Sequence, residues 1–165
     1  MKLGILSDTH NDTANTCRAL DLLRERGAER LIHCGDLTTP EIVELFDGWQ
    51  VDIVAGNMDR AHRMLENAAF GLGTATFDDT FKAAIDGVRV AATHGHYEGL
   101  LDELIRSGLY AYVFHGHTHR RRDEQIGETR VVNPGALGGT RRQSRSFAVL
   151  DTASGKVEFV ELDGS

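Results

Sequence analysis

Cysteine is scarce in this sequence: Cys17 and Cys34 are the only two, with no Cys-x-x-Cys spacing and no secretory context. They are expected as reduced thiols rather than a disulfide, and Cys34, although it adjoins Asp36, reads as a core residue. Long apolar runs are also missing, since nothing approaches the ~18 residues of a membrane span. The basic start, long apolar middle and small-residue cleavage site of a signal peptide are absent too, so a soluble cytoplasmic protein is expected, with no membrane partner. Positive charge is short as well: the formal net charge of −7 argues against a broad phosphate-binding surface. The aromatics that interleave basic residues in single-strand binders are not there, and a nucleic-acid partner is not expected. With no repeat, low-complexity tract or linker, 165 residues set one domain over residues 1–165.

Against these absences stand five clusters of oxygen and imidazole side chains. They are Asp8-Thr9-His10, Gly35-Asp36, Gly56-Asn57-Met58-Asp59, Thr93-His94-Gly95-His96 and Gly116-His117-Thr118-His119. Each follows a short apolar run: Leu3–Leu6, Leu31–Ile32, Val51–Ala55, Val88–Ala92 and Tyr112–Phe114. Each would therefore sit beyond the carboxyl end of a strand, the edge where open α/β sheets build their sites. A lone Asp-x-His or Gly-Asp is close to noise. Gly-His-x-His after a strand is stronger, because residues two apart in an extended segment point the same way.

The rest of the chain supplies a frame for these clusters. Ala14, Cys17, Leu20 and Leu23 recur near helical spacing up to Gly27, and Thr39-Pro40 opens a short helix to about Phe46. Residues 60–73 read as loop with some helix. Asp86-Gly87 between Phe81–Ile85 and Val88–Thr93 predicts a two-residue hairpin turn. Leu100, Leu101, Leu104 and Ile105 mark a helix ending at Gly108, and the tail alternates strands at Thr129–Val132, Phe147–Asp151 and Lys156–Leu162. This order predicts an α/β fold of two packed mixed β-sheets flanked by helices, a four-layer sandwich.

Carboxylate and imidazole ligands suit Mn, Fe, Zn or Ni more than Ca, and two such ions close together favour phosphoester hydrolysis. The motif series resembles the calcineurin-like metallophosphoesterase superfamily, in particular its small single-domain prokaryotic phosphodiesterases. That resemblance implies a first metal position at Asp8, His10, Asp36 and His119. It implies a second at Asp36, Asn57, His94 and His117, with Asp36 bridging and Asn57 and His94 essential to catalysis. It further implies two divalent ions, manganese first and nickel, iron or zinc as alternatives, and attack on a small phosphodiester by a hydroxide that bridges them. In many members the residue after the metal-binding Asn is a histidine that assists the leaving group. Here it is Met58, and a thioether cannot donate a proton.

Smaller expectations complete the reading. His96 and Tyr97 could reach a substrate oxygen or orient a ligand, with a structural loop role equally open. His33 reads as a hydrogen-bonded core histidine, while His62 and His115 carry no assigned chemistry. Asn133-Pro134-Gly135, following a late strand, resembles the segment that the small members carry after their last histidines, and it reads as an ordinary turn rather than part of the site. Arg120, Arg121, Arg122, Arg141, Arg142 and Arg145 read as a solvated face rather than a phosphate rim. The rival readings are a non-catalytic scaffold, like the retromer subunit that resembles this family, and a nuclease; a scaffold has no need of all seven ligands. A homo-oligomer stays open.

Overall fold

The computed structural model describes residues 1–162, so the last three positions of the expected domain lie outside the described residues. Strands β1 (Lys2–Leu6), β2 (Arg30–His33) and β3 (Gln50–Val54) are nearly continuous apolar runs because they are buried on both faces. They run parallel, with Leu3 opposite Arg30 and Arg30 opposite Gln50. With β4 (Ala75–Asp78), β10 (Ser146–Asp151) and β11 (Lys156–Glu161) they form one sheet in the order β11-β10-β1-β2-β3-β4. The second sheet contains β5 (Thr80–Ile85), β6 (Val88–Thr93), β7 (Tyr112–Phe114), β8 (Arg122–Ile126) and β9 (Thr129–Asn133), in the order β5-β6-β7-β9-β8.

Strand alternation assigns each apolar residue to a layer. Leu3, Ile5, Ile32 and Val54 meet Val90, Ala92, Phe114 and Val132 between the sheets. Leu6, Leu31, Val51 and Ile53 pack on the other side with helices α1 (Thr13–Glu25), α2 (Pro40–Glu44) and α3 (His62–Leu72). Helix α4 (Glu98–Arg106) covers the second sheet by setting Leu104 and Ile105 on Ala91, Val113 and Val131. The result is the expected helix, sheet, sheet, helix sandwich. Gly4 permits the tight helix-to-sheet contact, because a Cβ there would lie 2.6 Å from Leu23 Cδ2 and 2.7 Å from Leu31 Cδ2.

Several local expectations are corrected. The buried stripe of α1 is Thr16, Ala19, Leu20 and Leu23, and Cys17 is exposed. Thr16 tolerates burial because its hydroxyl donates to Asp12 O at 2.6 Å, while the Asp12 side chain caps the helix at Asn15 N. Residues 62–72 form a full helix, α3, that buries Leu65 and Ala69 and ends at Gly73 in the left-handed region (φ 71°). Strands β4 and β8 were not anticipated. Both lie at sheet edges and their residues are half-buried or exposed, so neither shows an apolar run. The Asp86-Gly87 hairpin turn is present, with φ of 51° and 76°.

Candidate metal centre

The carboxyl ends of β1, β2, β3, β6 and β7 bring the five clusters to one edge, where the loops are stitched together by backbone bonds. Asp8 N donates to Gly35 O and His10 N to Asp36 O, both at 2.9 Å, and Gly116 N donates to His94 O at 2.9 Å. The approach is close enough that a Cβ at Gly56 would collide with the Asp36 carboxylate and one at Gly116 with Ser7. Of the non-glycine residues with positive φ among the described residues, all but Asp86 lie in these loops: Asp8, His10, Asn11, Asp36, Thr38, His117 and His119. Each left-handed non-glycine residue costs about 1–3 kcal/mol, so the rest of the fold holds this edge in place against its local preference.

Two overlapping groups result, Asp8/His10/His119 and Asp8/Asp36/His94, each with ligand atoms within 4.8 Å of one another. Asp36 Oδ2 lies 3.6 Å from His10 Nε2 and 3.3 Å from His94 Nε2, so one carboxylate reaches both sides of the site. Asn57 Oδ1 is 3.0 Å from His94 Nε2. His117 joins less tightly, its ring 5.1 Å from that of His94. Thus the structure brings Asp8, His10, Asp36, Asn57, His94 and His119 together, with His117 beside them.

The hydrogen-bond pattern tests whether a cation fits. His94 Nδ1 lies 2.7 Å from Cys34 O, and His119 Nδ1 lies 2.7 Å from Thr140 O. A carbonyl only accepts, so both rings carry a proton on Nδ1, and the neutral tautomer leaves the Nε2 lone pair bare. The bare His94 nitrogen faces Asp36 and Asn57 oxygens. That of His119 faces Asp8 Oδ1 at 3.2 Å and His10 Nε2 at 3.1 Å. Asp8 Oδ1 is itself buried without a hydrogen-bond partner. Lone pairs aimed at one another are repulsive unless a proton or a metal cation lies among them, and a set of carboxylate, amide and imidazole donors this dense fits divalent metal ions.

Electrostatics agree. Burial works to raise the pKa of Asp8, yet its contacts with His10 and His119 hold it well below the usual carboxylate range. Asp36 is likewise lowered, with His94 overcoming burial, and His94 is raised in turn by Asp36 and Asp8. Contact with Asp8 also raises His119. The site is therefore a buried concentration of negative charge in search of positive charge.

Residues around the ligands hold them in place. Met58 N donates to Asp36 Oδ1 at 2.8 Å, so its backbone serves the site while its thioether stays partly exposed. Asp59, to which the sequence pattern assigns no role, accepts through its carboxylate from the backbone N–H groups of Asp36, Thr38 and Gly56 at 2.9, 2.8 and 2.7 Å. Asn133 is more than a turn residue. Its Nδ2 donates to Gly116 O at 2.9 Å and Thr118 Oγ1 at 3.1 Å, bracing the Gly-His-Thr-His loop. The spacing of Asp59 from Asn57, and the likeness of Asn133-Pro134-Gly135 to a family segment after the last histidines, are the signals in the sequence that point to these two.

The remaining histidines and arginines fall into place. His33 is buried: Gly35 N donates to its Nδ1 at 3.1 Å, leaving Nε2–H to bond Thr9 Oγ1 at 2.6 Å, and burial pushes its pKa down to about 3. His115 is buried and pushed down to about 4 for the same reason. His96 stands 5.4 Å from the His94 ring and 4.0 Å from the Tyr97 ring, outside the tight ligand groups. The arginines are not one solvated face. Arg145 donates to Gly138 O at 2.5 Å and Gly139 O at 2.8 Å, Arg121 pairs with Glu161 at 3.2 Å, and Arg122 pairs with Glu124 at 2.7 Å. Arg120, Arg141 and Arg142 are exposed.

Comparison with known proteins bears on the same region. The family of calcineurin-like phosphoesterase superfamily domains matches residues 1–155. A phosphodiesterase of Methanocaldococcus jannaschii is 33% identical over 165 residues, covering 98% of each chain. A solved archaeal phosphodiesterase superposes with a TM-score of 0.93 at 31% identity, covering 98% of this chain and 100% of that one. The zinc complex of Vps29 from Entamoeba histolytica has a TM-score of 0.72 at 19% identity, over 100% and 95% of the two chains, a likeness of fold alone.

Proposed function

Because the chain belongs to the calcineurin-like phosphoesterase superfamily, we propose that it is a phosphodiesterase working with two divalent ions on a small substrate. Asp8, His10, Asp36 and His119 would hold one ion, and Asp36, Asn57, His94 and His117 the other. The observation that carries this reading is the convergence of bare imidazole nitrogens on buried carboxylates. Two such ions would generate a hydroxide nucleophile at neutral pH and neutralise charge on the transferring phosphoryl group. Manganese is the first metal to try, followed by nickel, iron and zinc.

The chain's own residues position that chemistry. Cys34 O and Thr140 O orient the imidazoles, the N–H of Met58 holds one Asp36 oxygen, and the N–H of His117 holds Asp8 Oδ2 at 3.0 Å. The Met58 thioether carries no proton for the departing oxygen, so diesters with good leaving groups should turn over best. No helix among the described residues is long and apolar enough to cross a membrane, and we place the enzyme in the cytoplasm as a single domain.

The test is elemental analysis of metal-reconstituted protein followed by hydrolysis of bis(4-nitrophenyl) phosphate. About two ions per chain and metal-dependent turnover are expected. Asn57→Ala and His94→Ala should cut turnover severely while the variants stay folded by circular dichroism. Failure to bind metal sinks the site. Verified metal with no hydrolysis across a panel of diesters and monoesters would favour a scaffold.

A further inference from the structure

Next to the ligand loops a cleft of ≈ 430 Å³ opens, with Asn57, His62, Asp79, His96, Tyr97 and Leu100 in its lining. That volume falls within the roughly 300–1,000 Å³ of small-molecule sites. We propose that the cleft receives one ester arm of the substrate, and that the arm is an uncharged flat heterocycle with N–H donors, the chemistry of a nucleobase. The proposal rests on the phosphodiesterase reading and names the substrate class for the same site.

Position comes first. Asn57 belongs both to the cleft and to the ligand set, its Oδ1 3.0 Å from His94 Nε2. A diester whose phosphorus sits among the ligands must send an arm outward, and this hollow is continuous with that point. The walls favour a flat arm. Tyr97 is 66% exposed, with its ring against His96 at 4.0 Å. His62 is held edge-on to Phe77, rings 4.8 Å apart at 74°. Leu100 and Ala55 add apolar surface. A base stacks on aromatic side chains whatever its identity, and covering Tyr97 removes apolar surface from water.

Charge then narrows the arm. The lining contains no Lys or Arg, and its one carboxylate, Asp79, has no hydrogen-bond or ion-pair partner among the described residues. An arm bearing a further phosphate would be repelled, whereas ring N–H or amino groups would be accepted by Asp79. A second hollow, among Lys2, Arg26, Asp151 and Glu158, lies away from the ligands, and Arg26 there already pairs with Glu158 at 3.4 Å.

Calorimetry on metal-loaded enzyme, with adenosine 5′-monophosphate and ribose 5-phosphate as probes, reads the contribution of the base directly. Tighter binding of the nucleotide by about tenfold or more is expected, in line with the strength of base–aromatic stacking. Tyr97→Ala should collapse that ratio towards one, Tyr97→Phe should restore it, and Asp79→Ala should narrow it. A ratio near one in the wild type, or one that Tyr97→Ala leaves intact, overturns the cleft assignment even if diesters are hydrolysed. If verified holoenzyme hydrolyses no diester, the phosphodiesterase reading fails, and the assignment of an ester arm fails with it. A short single-stranded oligonucleotide as third probe separates the sources of the base. Weaker binding than the mononucleotide supports a small diester, and tighter binding overturns it in favour of a chain end.

Discussion

The two sheets contribute unlike halves of the site. The first sheet's loops carry all the oxygen side chains of the proposed ligand set, Asp8, Asp36 and Asn57, with one imidazole, His10; the second carries imidazoles alone, His94, His117 and His119. The oxygen half is clamped by backbone N–H groups, and the imidazole half is aimed by backbone carbonyls. Each half is also held by the other. Cys34 O, at the end of β2, orients His94, while the N–H of His117, beyond β7, holds Asp8. Neither sheet could therefore form its half of the proposed centre alone, and relative displacement of the sheets would misaim candidate ligands on both.

The strongest way to break this arrangement is Asp36→Asn. Its carboxylate lies within 3.6 Å of His10 and 3.3 Å of His94, so a neutral amide should weaken both ion positions. Losing a partner outside the ligand set costs about 10–100-fold in metal affinity or activity, and this variant should exceed that range. His119→Ala, which touches the Asp8 side, should lower metal content chiefly at one position. Equal loss of one ion from both variants, read by elemental analysis, would refute the shared role of Asp36.

The second prediction concerns what lies behind the oxygen half. His33 is buried and neutral, with its pKa pushed down to about 3 against an ordinary 6.5. The unfolded chain takes up this proton as pH falls through about 6.5, and the folded chain does so only near 3. Stability is therefore fully present above about 6.5 and is lost as pH drops towards 3, by a few kcal/mol at ~1.4 kcal/mol per pKa unit. His33→Gln keeps an acceptor and a donor without the titration, so in chelator its acid-unfolding midpoint should move to lower pH. Coincident acid transitions would show that another group governs acid sensitivity.

A third test sets the two clamps against each other. Asp59→Ala leaves the N–H groups of Asp36, Thr38 and Gly56 without their acceptor, so metal affinity should fall about 100-fold. Asn133→Ala, which releases the His117 loop, should cost nearer tenfold, because Gly116 is also held by its own N–H to His94 O. Metal titrations of both variants measure the difference, and a reversed order would make the imidazole half the more dependent one.

The same contrast explains what could be read from the sequence. The candidate ligands were legible because each set follows an apolar run, as Leu3–Leu6 precedes Asp8 and His10, and a strand buried on both faces shows such a run. The bracing roles of Asp59 and Asn133 were not, because their partners belong to other loops that only the tertiary fold brings near. Helix α3 was obscured by Gly71 and a weak stripe of two buried residues, Leu65 and Ala69. Strands β4 and β8 owe their conformation to pairing with β3 and β9 rather than to their own pattern. In α1 the apolar spacing points to Ala14 and Cys17, yet both are exposed, and Thr16 takes the buried place because it hides its hydroxyl against Asp12 O.

The smallest expected effect lies at Met58, where backbone and side chain divide between structure and chemistry. The N–H of Met58 holds Asp36, so a substitution that keeps the backbone leaves that clamp available. The side chain is 38% exposed, which gives a larger ring room without repacking a core. An absent proton donor penalises alkoxides more than phenolates, because expulsion of the stronger base needs protonation more. Rates should accordingly fall steeply across a series of diesters as the leaving-group pKa rises. Met58→His should flatten that slope, with about a tenfold gain at the poorest leaving group and little at nitrophenolate, below the 10²–10⁴-fold of an evolved acid. The series is measured at matched metal content, and a crystal structure of the variant establishes where the imidazole lies. Parallel slopes with the ring directed at the leaving oxygen would mean that a different group already delivers the proton, and Met58 would then mark no deficit.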